Sequence, residues 1–75
     1  MTVESELHEA IEALQAATAL VREQEGKIAT MKAAGIDTSR AEPLLAAYRA
    51  AARYASERRD SLEWSAQAQR KTKTS

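Results

Sequence analysis

Few side chains in this sequence have types and spacing suited to chemistry. His8 is the single histidine, with Glu4 one helical turn before it and Glu12 one turn after. On a helix the three would share a face, and an imidazole with two carboxylates is a donor set that a divalent metal can use. The set is weak, because the Glu-x-x-His spacing of di-iron bundles is missing: Ser5 stands three residues before His8. A solvated trio supporting its own helix through i, i+4 contacts is the better reading. The chain has no cysteine, which removes disulfides and thiolate metal sites and fits a reducing compartment. Neither a glycine-rich phosphate loop nor a serine, histidine and carboxylate set occurs. The expectation is therefore no enzyme activity, no metal and no cofactor.

The other candidate chemistry is a basic stripe. Arg49, Arg53, Arg58 and Arg59, followed by Arg70, Lys71 and Lys73, have the composition to contact phosphates, which supply non-specific affinity for nucleic acid. Formal net charge is zero, however, and Glu57, Asp60 and Glu63 are interleaved with the arginines, which dilutes the field. A small nucleic-acid-associated regulatory protein is kept as the alternative reading only. The arginines are better matched to acids in the same chain: residues 1–25 carry six acids against Arg22, and residues 41–75 carry seven bases against four acids. Folding back antiparallel would lay Glu4, Glu6, Glu9 and Glu12 beside Arg58, Arg59, Arg70 and Lys71. Each exposed pair is worth about 0–1 kcal/mol, so the pattern selects orientation more than it stabilises.

The elements that must hold these groups are helices. Alanine, the best helix former, occurs seventeen times, Gly and Pro together three times, and the aromatics are Tyr48, Tyr54 and Trp64 alone. From Val3 to about residue 34, Leu7, Leu14, Val21 and Ile28 recur every seven residues, with Ala10, Ala17, Gln24 and Met31 as the companion row: an a/d seam over four heptads. Gln24 is the polar break in that seam, of the kind that can fix register if its amide finds a partner. A second arm carries Leu44 or Leu45, Tyr48, Ala52, Ala55, Leu62 and Ala66 on its matching face. Ala47, Ala50, Tyr54, Ser61, Trp64 and Ala68 gather on another face at 100° per residue. Arg59 projects toward the seam, where a snorkelling side chain is expected.

Between the arms lies the chain-breaking chemistry. Gly35 is suited to the left-handed conformation that closes a helix, with Ile36 placed to fold back on the last turn. Asp37, Thr38 and Ser39 are all competent N-caps, and Ser39-Arg40-Ala41-Glu42 has the spacing of a capping box, while Pro43 argues for a helix start near Ser39. The predicted boundaries are helix 3–34, turn 35–38 and helix 39–69 in one hairpin over 1–69, with 70–75 (RKTKTS) a disordered basic tail.

The run Gly35-x-Asp37-Thr38-x-x-Ala41-Glu42-x-Leu44-Leu45, with Arg59-Asp60 further on, resembles a group of short uncharacterised bacterial helical-hairpin proteins. Their Gly-x-Asp-Thr-x-x-Ala-Glu-x-Leu-Leu turn joins two helices, the second ending near an Arg-Asp pair. The likeness covers roughly residues 20–63. Pro43 and the alanine-rich residues 50–55 depart from the bulkier residues of that pattern. The resemblance implies a helical hairpin and carries no activity, cofactor or substrate with it.

The sequence thus predicts an all-α chain: an antiparallel, coiled-coil-like two-helix hairpin that dimerises into a four-helix bundle, because one hairpin cannot cover both apolar faces of its second arm. The expected role is a non-catalytic oligomerisation or protein–protein interaction module, forming a homodimer or engaging another protein. Its interface candidates are Leu14, Val21, Gln24 and Leu62 on the seams and Tyr54 and Trp64 beside them. No apolar run approaches the roughly 18 residues that cross a bilayer, and the acidic N-terminus is unlike a signal peptide, so a cytoplasmic location is expected.

Overall fold

The computed structural model describes the backbone of residues 2–74 and the side chains of residues 2–71. Two helices, α1 (Val3–Ala33) and α2 (Ala41–Thr74), form an antiparallel hairpin, with no strand among the described residues. α1 begins at an N-cap that sequence reading overlooks. Thr2 is extended, its Oγ1 accepts from the Ser5 N–H at 3.1 Å, and Glu4 and Glu6 put negative charge on the first turn. The hydroxyl satisfies one of the free end amides, and the acids oppose the positive pole of the helix dipole.

At the other end the glycine does what its type predicts. Gly35 has φ 73°, its N–H donates to the Lys32 carbonyl at 3.1 Å, and the Ile36 N–H donates to the Met31 carbonyl at 2.8 Å. These two bonds are the Schellman arrangement, which closes the last turn. Ile36 contributes its backbone only, since its side chain stays exposed.

The start of α2 corrects the expected capping box. Ser39 does not act as acceptor: its N–H and its hydroxyl both donate to the Asp37 carboxylate, at 2.9 Å each. The Glu42 N–H donates to the Thr38 carbonyl at 3.0 Å, and the Glu42 side chain reaches Lys32 across the hairpin at 3.8 Å. A carboxylate is the stronger acceptor, so Asp37 takes the serine's donors and leaves Glu42 free for the other arm. Pro43 falls in the first turn of α2, where a helix tolerates it.

The predicted seams meet. Ala10, Ile28, Leu45, Ala55 and Ala66 are buried, with Leu7, Leu14, Val21, Tyr48 and Leu62 half-buried beside them. Leu45 faces α1, and Leu44 is turned outward. The core is one row deep, and alanine supplies three of its five buried apolar positions. The residue numbers of two cross-arm ion pairs, Glu25–Arg49 and Lys32–Glu42, both add to 74, so residue n of α1 lies about level with residue 74 − n of α2. α2 therefore runs past the start of α1. Residues 70–74 are helical, where a disordered tail is expected from sequence; Ser75 and the side chains of 72–74 lie outside the described residues. Extending a helix adds one hydrogen bond per residue, and basic residues favour its negative C-terminal pole.

Candidate functional site

Each candidate constellation can be followed to its place on the rod. His8 Nε2 lies 2.8 Å from Glu12 Oε1, on side chains that are both mostly exposed. Among the described residues, no group of three or more His, Asp or Glu is arranged to hold a metal ion. No helix among the described residues is long and apolar enough to cross a membrane.

The arginines do not form one free stripe. Arg49 donates to Glu25 of α1 at 3.0 Å, and Arg59 pairs with its neighbour Asp60 at 2.8 Å. That bond is the main cause that raises the Arg59 pKa further above its ordinary value. Only 34% of the Arg59 side chain is exposed, so the stem lies along the seam while the head turns out to Asp60. Arg53 and Arg58 are exposed. Two cross-arm ion pairs, Glu25–Arg49 and Lys32–Glu42, sit in the half of the rod near the hinge.

Among the interface candidates, Leu14, Val21 and Leu62 are half-buried in the hairpin's own seam and Gln24 is buried there. The Gln24 amide donates to the Ala41 carbonyl at 3.0 Å. Ala41 opens α2, so this bond ties a point inside α1 to the beginning of the second arm, and no buried side-chain polar atom is left without a partner among the described residues.

The remaining apolar surface is sorted by heptad position. Ile11, Thr18, Glu25 and Lys32 flank one side of the α1 seam, and Glu42 and Arg49 flank the same side of the hairpin on α2, which makes that flank charged in its half near the hinge. On the opposite flank the rows are Glu6, Ala13, Leu20 and Lys27 on α1 and Leu44, Ala51, Arg58 and Ser65 on α2, with Ala47 and Tyr54 just outside. Leu20, Leu44 and Tyr54 are 42%, 44% and 68% exposed. A shallow groove lined by Gly26, Lys27, Thr30 and Met31 continues this flank toward the hinge. Trp64, 73% exposed, lies ten residues beyond Tyr54, about 80° further round α2 at 100° per residue, and faces away from the flank.

The area uncovered is large for the mass. The rod measures 62 × 18 × 14 Å with a radius of gyration of 17.5 Å, against about 11 Å for a compact chain of this length. It exposes 5676 Å², whereas a compact monomer of 8.2 kDa exposes about 4,500 Å². The excess of about 1,100 Å² is more than the roughly 800 Å² that each partner buries in a standard-sized interface. No protein family model, curated protein or solved structure matches the chain.

Proposed function

We propose that this chain is a non-catalytic helical interaction module whose apolar flank is covered by another helical surface, making a four-helix bundle as a homodimer. Two observations carry the reading: the rod exposes more area than a compact chain of its mass, and Leu20, Leu44 and Tyr54 stand exposed on one flank among alanines. Burying a leucine side chain is worth about 1.5–3 kcal/mol, and a one-row core in which alanine supplies three of five buried apolar positions leaves a lone hairpin marginal. Small residues between the leucines let a facing helix approach toward the short end of the roughly 8–10 Å range of axis separations. The arginines of α2 serve this architecture by answering carboxylates, as Arg49 does for Glu25 and Arg59 for Asp60.

Light scattering on the purified chain tests the proposal. The expected result is a mass above 8.2 kDa and a melting temperature that rises with protein concentration, because association stabilises by mass action. A fully folded, solitary chain at micromolar concentration overturns the reading. Retention of DNA or RNA that weakens steeply with salt would move the assignment to the alternative.

A further inference from the structure

The geometry points to a specific partner and orientation for the apolar flank: a second copy of this chain docks on it with its hinge at the opposite end of the rod, related by a twofold axis that crosses both helices. This rests on the interaction-module reading and goes beyond it in naming which faces meet and how.

The α1 row on this flank reads Glu6, Ala13, Leu20, Lys27. Set antiparallel against itself about a point between residues 16 and 17, it places Glu6 opposite Lys27 of the other copy and Ala13 opposite Leu20: acid on base, small on large, each occurring twice by symmetry. The α2 row, Leu44, Ala51, Arg58, Ser65, reversed about a point between residues 54 and 55, places Leu44 opposite Ser65 and Ala51 opposite Arg58, so large side chains again meet small ones. The two midpoints must coincide along the rod for one axis to serve both helices. They agree to within one helical turn: the ion pairs Glu25–Arg49 and Lys32–Glu42 put residue n of α1 level with residue 74 − n of α2, which sets 16–17 level with 57–58, about 4.5 Å along the rod from 54–55. Tyr54, the most exposed large side chain of the flank, then sits near the axis, where an aromatic anchor is most completely desolvated.

The competing docking has both hinges at the same end and α1 facing α2 of the other copy. In it Lys27, which pairs with Glu23 at 3.7 Å within its own helix, would lie near Leu44, Ala13 near Arg58 and Glu6 near Ser65, so both Glu6–Lys27 contacts are lost, while Arg58 faces an alanine in either docking. Charge complementarity selects between otherwise similar apolar contacts. The area also suits a second copy: about 1,100 Å² of excess surface per chain meets the roughly 800 Å² that each partner contributes to a standard interface.

The native chain has no cysteine, so a single Arg40→Cys substitution at the exposed hinge accepts one spin label per chain. Double electron–electron resonance on the dimer is expected to give a distance of about 45 Å, from 1.5 Å per residue on either side of the axis; the same-end docking gives less than about 25 Å. In parallel, Glu6→Lys and Lys27→Glu are each expected to weaken dimerisation several-fold, and the double variant to return to within about twofold of wild type, with helicity followed by circular dichroism. A dimer with close labels, or one in which the double variant is not rescued, overturns this geometry and leaves the interaction-module reading standing. A monomeric wild type at micromolar concentration overturns both.

Discussion

Gly35 occupies a backbone region where a side chain costs about 1–2 kcal/mol, yet no heavy atom lies within 4 Å of the place its Cβ would take. Gly35→Ala should therefore lower stability by about 1 kcal/mol through the backbone alone, measured by urea unfolding, and Gly35→Asn should recover part of the loss. Two residues on, Asp37 is held below the usual carboxyl range because the Ser39 N–H, and after it the Ser39 hydroxyl, bind its ionised form. A carboxyl whose pKa is lower in the folded state adds stability above its unfolded value and loses it as pH falls through the folded one. Melting temperature should thus fall on acidification from about pH 5 toward pH 2, and Asp37→Asn should flatten that fall relative to wild type.

At the scale of the helices, the two glycines separate by environment. Gly26 lies within α1, carries no positive φ and has open space around a built Cβ, so it has the entropy cost of glycine without a turn to justify it. Gly26→Ala should raise stability by about 0.5–1 kcal/mol, seen as a higher midpoint in thermal unfolding. Gln24 does the opposite kind of work: buried at 6% exposure, its amide reaches the opening carbonyl of α2 and so resists a slide of one arm along the other. The heptad rows predicted the seams because alternation of leucine or valine with alanine leaves each helix one face to bury.

For the molecule as a whole, surface rather than core limits stability. Leu20 is 42% exposed in the hairpin, so Leu20→Glu puts a charge on the flank without entering the intramolecular seam. It should reduce the light-scattering mass to that of one chain and remove the concentration dependence of melting, since a charge buried without a partner costs several kcal/mol. Trp64→Glu, on the far side of α2, should leave the mass unchanged. Loss of association in the tryptophan variant with retention in the leucine variant would place the interface on the other face of α2.

The sequence by itself determined the helical composition, both seam rows, the glycine that ends α1 and the antiparallel turn, because each follows from local propensity or a seven-residue repeat. Tertiary structure decided what near-equivalent residues did. Asp37, Thr38 and Ser39 were all able to open α2, and only the folded turn showed the aspartate collecting the serine's donors while the threonine carbonyl took the Glu42 amide. Leu44 and Leu45 differ by 100° on one helix, and only the facing arm selected Leu45 for the core. The mate of Gln24 and the separation of a charged flank from an apolar one likewise required the register of one arm on the other, which depends on residues far apart in the chain.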